Sequence, residues 1–371
     1  MKIFWRTFLG VLLAWSPISW AQHSSSPMYQ DPFDLGAGGA SLTRASRDGR
    51  IFSNPALLPY GGDKVRWAGM TRSLMLSKDW VDYAIKLQTE SGDGEGDPAA
   101  EILNEIVNTP FQLGSQGSVS FVSVNYGYST FQVFEADLEL NEFGEAGVPD
   151  FRIRANFYSG TMLSLAAKIP SMDWLSLGIS FKYLGINEID TRVPLANKEK
   201  MAEIVADYQS KFQGNTTEAL NFGLGYDAGL LTFFQGKHVD FSAAAKVDDV
   251  GNTQLAGNFE PKQIKQTVHG GLGLTLHGTT SALHFSLDVR DLQQAYGEPE
   301  FKRVHAGTKL TLFNYIGLST GISHGYPTYG AEIDFLLFRL TGTYYTKEMG
   351  NNPNVNPRRI YMATLSFGTD F

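Results

Sequence analysis

Apolar and polar residues alternate along most of this 371-residue chain, from about residue 64 to its end. In segment 175–183 every odd position is a large apolar or aromatic residue, and the even positions are Ser, Gly, Ser and Lys. Segments 162–169, 239–248, 283–289 and 361–367 follow the same pattern. A period of two places the two sets on opposite faces of a strand. The pattern therefore predicts a protein built mainly of β-strands.

The number and the length of these segments favour strands that cross a membrane. We count roughly fourteen to sixteen segments, many of them near the roughly 9–11 residues that a tilted strand needs to span a bilayer. Tyr and Phe often stand near segment ends, as interfacial aromatic girdles require. We predict an all-β fold, a transmembrane antiparallel β-barrel of about 14 strands over residues 64–371. A soluble periplasmic all-β protein gives the same alternation and remains the alternative.

Residues 1–21 have the layout of a Sec signal peptide. Lys2 and Arg6 form a short positive region, residues 7–15 are apolar, and Ser19-Trp20-Ala21 offers small residues at the two positions that a signal peptidase reads. We therefore predict export and a location in the outer membrane of a Gram-negative cell. Outer-membrane lipid is the surrounding medium in this prediction.

Composition narrows the class further. The chain has no Cys, 39 Gly, 13% aromatic residues and 18% charged residues. The absence of Cys excludes disulfide scaffolds and cysteine nucleophiles. The formal charge of −8 gives no electrostatic reason to expect a nucleic-acid partner. The seven His residues contain no H-x-x-x-H pair, so we expect no metal site and no cofactor.

Residues 22–63 lie between the predicted leader and the first predicted strand. The segment is too short for a domain and too apolar for a free tail. Its glycines allow tight turns, and Asn54 can cap a short helix that has Pro55 at its first position. We predict a hatch from about Met28 to Asp63 that folds into the barrel lumen.

The same segment resembles a known family. Gly38-Gly39-Ala40, Asp48 and Asn54-Pro55-Ala56-Leu57 resemble the start of FadL-type outer-membrane proteins. That superfamily includes channels for hydrophobic compounds, PorV-like proteins of type nine secretion and TraF-like exported barrels. Stretches 247–253 and 325–330 resemble the latter two branches. The resemblance implies about fourteen strands and a hatch in which Gly38, Gly39, Asp48, Asn54, Pro55 and Ala56 control the lumen.

Charged residues on the polar faces of the strands would point into the lumen, because charges that face lipid cost free energy. The candidates for lumen-facing residues are Lys168, Lys182, Asp240, Lys246, Asp288, Arg290, Lys309 and Glu332. The last strand carries Phe367 and ends on Phe371, which resembles the signal read by the barrel assembly machinery. That machinery is therefore an expected partner.

No residue pattern supports catalysis. Gly321-Ile322-Ser323-His324-Gly325 fits G-x-S-x-G, but a hydrolase elbow needs a strand–turn–helix context and another strand follows here. We predict a non-enzyme in which a hatch-gated lumen passes or binds small solutes, hydrophobic ones among them. The alternative is a non-conducting barrel whose loops, including 197–212, dock a protein of a secretion, transfer or surface-assembly complex.

Overall fold

The fold is that of a closed antiparallel barrel with a short segment inside it, as given by a computed structural model. It describes residues 29–46, 49–60, 66–82, 85, 111–141, 150–194, 220–257, 262–313, 315–335 and 337–370. The predicted signal peptide, Asp48, the loop 197–212 and Phe371 lie outside these ranges. Within the part described, no helix is long and apolar enough to cross a membrane.

Sixteen strands are present in the described ranges, and fourteen of them close into one barrel. β8 and β9 form a separate two-stranded sheet that packs against β6 and places Leu255 and Ile264 in the interior core. The bounds are β1 (Arg66–Ser77), β2 (Phe111–Val122), β3 (Tyr126–Asn141), β4 (Asp150–Ile169), β5 (Met172–Pro194), β6 (Asn221–Phe234), β7 (Val239–Asp248), β8 (Thr253–Leu255), β9 (Lys262–Ile264), β10 (Thr267–His277), β11 (Ser281–Val289), β12 (Val304–Leu312), β13 (Ile316–Ser323), β14 (Tyr326–Asp334), β15 (Phe338–Glu348) and β16 (Pro357–Asp370).

Each barrel strand pairs antiparallel with its neighbours in sequence order, and β1 pairs with β16 to close the ring. The predicted strand number of about fourteen is confirmed. Closure leaves no unpaired sheet edge, which is the condition for strands to span lipid.

The two ends of the barrel differ in the length of their connections. At one end, here called the turn end, two to four residues join consecutive strands, as in 123–125 and 170–171. At the other, here called the loop end, most connections are longer, as in 249–266 and 349–356. Bacterial outer-membrane barrels have short periplasmic turns and longer extracellular loops.

Burial follows the predicted alternation. On β10, Leu272, Leu274 and Leu276 are exposed on the outer surface, whereas Gly271, Gly273 and Thr275 between them are buried. The same division holds on β6, where Leu224, Tyr226 and Leu230 are exposed. Large apolar side chains on the outside and small or polar ones inside fit a barrel embedded in lipid.

The G-x-S-x-G stretch is a hairpin turn between β13 and β14. His324 and Gly325 both have positive φ, 53° and 79°, as in a two-residue hairpin of the mirror-image type. No helix follows Ser323, since β14 begins at Tyr326. The interpretation of this motif as a strand-end turn is confirmed.

Four short helices accompany the strands in the described ranges: α1 (Pro32–Gly36), α2 (Arg50–Ser53), a 3-10 helix (Pro55–Tyr60) and α3 (Glu300–Arg303). The carboxylate of Asp31 caps α1 by accepting from the backbone N–H of Phe33 at 3.0 Å. Asn54 Oδ1 accepts from the N–H of Ala56 at 3.0 Å, so the predicted cap at Asn54 is confirmed.

The outward face of β10 supplies a test of the membrane orientation of the strands. Leu272 is 50% exposed in the middle of its strand, and Leu337 is 58% exposed in a short turn. We expect Leu272→Arg to lower the free energy of unfolding in lipid bilayers by about 2–4 kcal/mol, and Leu337→Arg by about 0–1 kcal/mol, because the cost depends on depth in the bilayer. Urea unfolding in vesicles measures both. Equal effects of the two substitutions would contradict the assignment of this face to lipid.

Candidate functional site

Residues 29–46 and 49–60, here called the inner segment, cross the interior of the barrel. α1 contacts β13, β14 and β15, and the 3-10 helix contacts β4, β5 and β6. In the order of strands around the ring, β14 and β5 are seven places apart in a ring of fourteen, so they face each other. The inner segment therefore reaches both sides of the lumen.

Gly36 and Gly38 of the inner segment lie against the strand backbone. Gly38 and Gly39 have φ of 71° and 73°, a conformation that favours glycine. A Cβ on Gly38 would lie 2.5 Å from the carbonyl oxygen of Ala306. The Gly38 N–H donates to Thr328 Oγ1 at 2.9 Å, and the same hydroxyl donates to the Gly36 carbonyl. A side chain at Gly38 would push the segment away from β12 and β13.

Asn54, Pro55 and Ala56 lie on the opposite side of the lumen. Asn54 is fully buried, and its Nδ2 donates to the carbonyls of Leu42 at 3.2 Å and Leu230 at 3.4 Å. Pro55 packs on Gly178 of β5 so closely that a Cβ there would lie 2.5 Å from the Pro55 carbonyl carbon. Ala56 is also fully buried. These three residues hold the C-terminal part of the inner segment against β5 and β6.

Buried charged residues on β11 and directly after it hold the first end of the inner segment. Asp288 Oδ2 accepts from the N–H groups of Ser41 at 2.6 Å and Leu42 at 2.9 Å. Arg290 Nη2 donates to the Gly39 carbonyl at 2.7 Å. Together they satisfy backbone groups that would otherwise be buried without partners, and such groups are costly to leave unpaired.

Lys309 adds an ion pair to this contact. Its ammonium donates to the Asp34 carboxylate and, at 3.0 Å, to the Arg44 carbonyl. Burial raises the pKa of the Asp34 carboxyl to about 6, and the neighbouring Lys309 charge offsets only part of that rise. Asp31 is a further charge that raises the pKa of this carboxyl.

Other lumen-facing candidates form separate groups. Lys182 pairs with Asp227 at 2.7 Å and Asp249 at 3.0 Å, and Lys246 pairs with Asp248 at 2.7 Å while donating to the Phe52 carbonyl at 3.0 Å. Asp240, Lys168 and Glu332 do not meet these groups. The Asp240 carboxylate contacts His277 and accepts from the N–H of Gly236. The Lys168 ammonium lies 4.4 Å from the centre of the Tyr60 ring. The Glu332 carboxylate lies 3.5 Å from the Arg339 guanidinium.

Phe367, by contrast, is on the outside, where it is 49% exposed. It lies near the turn end on β16, opposite Phe338 of β15 in the register. Its role as an assembly signal remains a prediction.

A cavity of about 170 Å³, here called the chamber, lies between the inner segment and the loop end. One of its walls is aromatic. The rings of Tyr29 and Phe52 have centroids 4.3 Å apart, and Phe131 lies 6.0 Å from Tyr29 and 5.5 Å from Phe52. Met162 and Leu184 extend this wall.

The opposite wall of the chamber is polar. Its charged residues are Glu135, Lys182, Asp227, Lys246, Asp248, Asp249, Lys265 and Lys347, and His305, Ser323 and His324 complete it. The four lysines and four carboxylates balance in charge. The sequence pattern indicated several of these charges but missed the chamber, because its aromatic residues come from elements far apart in the chain: Tyr29 and Phe52 of the inner segment, Phe131 of β3, Tyr158 of β4, Tyr296 between β11 and β12, and Tyr345 of β15.

Comparison with known proteins identifies the class of fold. No protein-family model matches the chain, and neither does any curated protein. The Pseudomonas putida toluene transporter TodX matches with a TM-score of 0.51 and 11% identity, over 92% of this chain and 98% of its own. The Ralstonia pickettii toluene transporter TbuX matches with a TM-score of 0.52 and 10% identity, over 92% of this chain and 98% of its own. The TodX deltaS2S3 mutant, a monoaromatic hydrocarbon channel, matches with a TM-score of 0.53 and 10% identity. The match covers 94% of this chain and 100% of the mutant's chain.

The chain thus has the fold of an outer-membrane β-barrel channel, and specifically that of FadL-type hydrocarbon channels. The resemblance noted in the sequence is confirmed at the level of the fold, whereas the PorV-like and TraF-like branches remain predictions.

The carboxylate of Asp288 supplies a test of how the inner segment is held. We expect Asp288→Ala to leave the amides of Ser41 and Leu42 without their acceptor, at a cost of about 1–3 kcal/mol. Hydrogen exchange at these two amides should then be about ten to a hundred times faster. Asp334→Ala is the control, since Asp334 forms its ion pair with Arg339 of the wall at 2.7 Å. Unchanged exchange at Ser41 and Leu42 would contradict this role.

Asp34 supplies a test of pH dependence. The carboxyl should titrate with a midpoint near pH 6 in the folded protein, above its ordinary value of 3.8. In the unfolded chain the Asp34 carboxyl loses its proton at a lower pH than in the folded protein. The neutral carboxyl therefore stabilises the fold fully below about pH 4, and this stabilisation is lost as the pH rises through 6. Carbon-13 NMR of labelled aspartates measures the midpoint, with Asp34→Asn to assign the signal. A midpoint near pH 4 would contradict the dominance of burial.

Proposed function

We propose that this protein is an outer-membrane channel whose lumen passes or binds small hydrophobic solutes under the control of the inner segment acting as a hatch. The observation that carries the proposal is the chamber, which lies directly against the inner segment and has an aromatic wall formed by Tyr29, Phe52 and Phe131. Ligand sites are concave and largely apolar, with a few polar groups that orient the ligand.

The gating role rests on the geometry of the inner segment. It contacts strands on opposite sides of the ring, and its backbone is bonded to Asp288, Arg290 and Thr328 of the wall. Passage of a solute from the chamber to the turn end then requires displacement of part of this segment. Gly38, Gly39, Asn54, Pro55 and Ala56 are among its contacts with the wall, and Asp48 lies outside the described residues.

The structural neighbours support the hydrophobic character of the solute. TodX and TbuX are described as toluene transporters, and they share the fold over most of this chain. None of them is an enzyme, which fits our proposal that this chain is a channel without catalytic activity.

Export and assembly complete the proposal. Residues 1–21 would direct the chain through the Sec pathway, and the barrel assembly machinery would read the last strand with Phe367 and Phe371. The alternative of a partner-docking barrel depends on loops such as 197–212, which lie outside the described residues, and it too remains a prediction.

Deletion of residues 28–63 tests the gating role. We expect the full chain to conduct poorly in planar bilayers and the deletion variant to form an open pore, because the segment that crosses the lumen is gone. Heat-modifiable migration on gels serves as the control that both proteins form barrels. Equal conductance of two folded barrels would contradict a gate.

A further inference from the structure

The side chain of Arg72 lies on the outer face of the barrel among residues that face lipid. Arg72 is exposed on β1 between the outward residues Met70 and Leu74, which are 47% and 54% exposed. Its register partner on β16 is Leu365, which is also outward. Among the residues described, none forms an ion pair or a hydrogen bond with the Arg72 side chain. A charge in hydrocarbon is costly, and such a position calls for a partner that neutralises it.

Arg72 lies midway between the aromatic residues near the two ends of the barrel. Towards the loop end, Leu76 is four residues away and pairs with Tyr361. Towards the turn end, the register partner Gly117 is four residues from Phe121. Four residues of a tilted strand span roughly 10 Å of depth. Because aromatic rings at membrane interfaces lie at the level of the headgroups, the guanidinium is roughly that far from the lipid phosphates.

The Arg72 side chain lies across the neighbouring strand rather than along its own. A Cβ on Gly117 would lie 2.9 Å from Cδ of Arg72 and 3.0 Å from its Nη1, so the side chain takes the space that a larger residue at 117 would fill. The guanidinium therefore stays at mid-depth, where lipid chains offer no anion.

A groove of about 410 Å³ in the outer surface begins at Arg72 and reaches the stacked rings of Tyr183 and Phe222. Small or polar residues line most of it, namely Gly117, Thr130, Gln132, Ser159, Thr161 and Gly185. In membranes, small residues allow another backbone to approach closely, and hydroxyl and amide groups form hydrogen bonds across the contact. The opposite side of the ring, seven strands away on β10, presents three exposed leucines instead. The face around the groove thus differs from a surface suited to lipid chains.

We propose that Arg72 and this groove form a docking surface for a membrane-embedded segment of another protein that brings a carboxylate to mid-depth. The carboxylate pairs with the Arg72 guanidinium, and the segment packs over Gln132 and Ser159. A second copy of this chain lacks the complementary group, since no Asp or Glu takes an outward position at this depth on the described strands. The proposal goes beyond the channel function and does not depend on the hatch.

The test measures association of the full chain with a peptide of known sequence in lipid vesicles. The probe is a transmembrane helix of about 20 Leu and Ala residues with one Glu at its centre, and the control peptide carries Gln there. The chain has no Cys, so Asn125→Cys in the short turn between β2 and β3 carries a donor dye, and the peptide carries the acceptor. We expect energy transfer to give an affinity for the Glu peptide at least about ten times that for the Gln peptide, because a close charge pair away from water is a strong contact.

Two variants separate the charge from the surface around it. Arg72→Leu should lower the affinity for the Glu peptide to that for the Gln peptide. Arg72→Leu combined with Leu272→Arg moves the charge to the opposite side of the ring, where its outward neighbours are leucines. This variant should bind the Glu peptide at least about five times more weakly than the unaltered chain, because the small and polar contacts are missing. Heat-modifiable migration on gels controls for barrel formation in each variant.

Urea unfolding without peptide tests a lipid phosphate as the occupant. Arg72→Leu should raise the urea midpoint, because the substitution removes an unpaired charge from hydrocarbon. The rise should be the same in phosphatidylcholine vesicles and in vesicles that contain phosphatidylglycerol. An unchanged or lower midpoint would show that the barrel itself neutralises Arg72. A rise that shrinks in anionic lipid would assign the site to a phosphate. Both results would overturn the proposal.

Three further outcomes would also overturn it. The first is equal affinity for the Glu and Gln peptides, or an affinity that Arg72→Leu leaves unchanged. The second is equal binding of the Glu peptide by the variant with the moved arginine, which would show that the groove contributes nothing. The third is a dimer, seen by sedimentation without peptide, that Arg72→Leu dissociates, which would make a second copy the occupant. The deletion of residues 28–63 decides the gating role independently, so the two proposals fail separately.

Discussion

Backbone amides and carbonyls that face hydrocarbon have no water to bond, and this constraint governs the whole structure. The pairing of β1 with β16 satisfies it by leaving no free sheet edge. Closure then creates an interior with its own requirement, because the inner segment carries backbone groups that are buried inside the barrel. Asp288, Arg290, Thr328 and Asn54 meet that requirement by bonding to the segment.

The interior is therefore polar without carrying a large net charge. Most of its buried charges lie next to an opposite charge, as Lys309 does with Asp34 and Lys182 with Asp227 and Asp249. Removing one partner of a buried pair is costly, so these pairs are better suited to hold positions than to attract ions. The chamber forms where this polar lining meets the aromatic residues of the inner segment. A solute that fills it meets both kinds of surface.

The sequence predicts the strands well because a side-chain period of two is a local property. The expectation that charges on the strands face inward has a local basis too, since the alternative is a charge in lipid. It does not predict that Asp288 bonds to Ser41 and Leu42, because those residues lie 247 and 246 positions away. Arg72 is an exception to the expectation that charged residues of the strands face inward. It is exposed on the outer face, where its side chain lies over Gly117 of the next strand.

The chamber is beyond sequence reasoning for a similar reason. Phe131 is an inward aromatic residue on β3, and the alternation alone gives it no role beyond filling space. It becomes part of a candidate site only when the fold brings Tyr29 and Phe52 beside it. The turn at Gly38-Gly39 and the cap at Asn54-Pro55, by contrast, were recognisable from the sequence because their backbone requirements are local, and their role as a hatch remains a proposal.

The inner segment occupies the lumen, and in the proposed function it shifts when a solute passes. Ser286 is buried beneath it and donates to the Ala40 carbonyl at 3.2 Å, and the chain has no Cys of its own. The most direct measurement is the rate at which Ser286→Cys reacts with a charged thiol reagent. We expect slow reaction in the full chain, faster reaction when solute is added, and rapid reaction after deletion of residues 28–63. The same rate in all three would contradict this proposal.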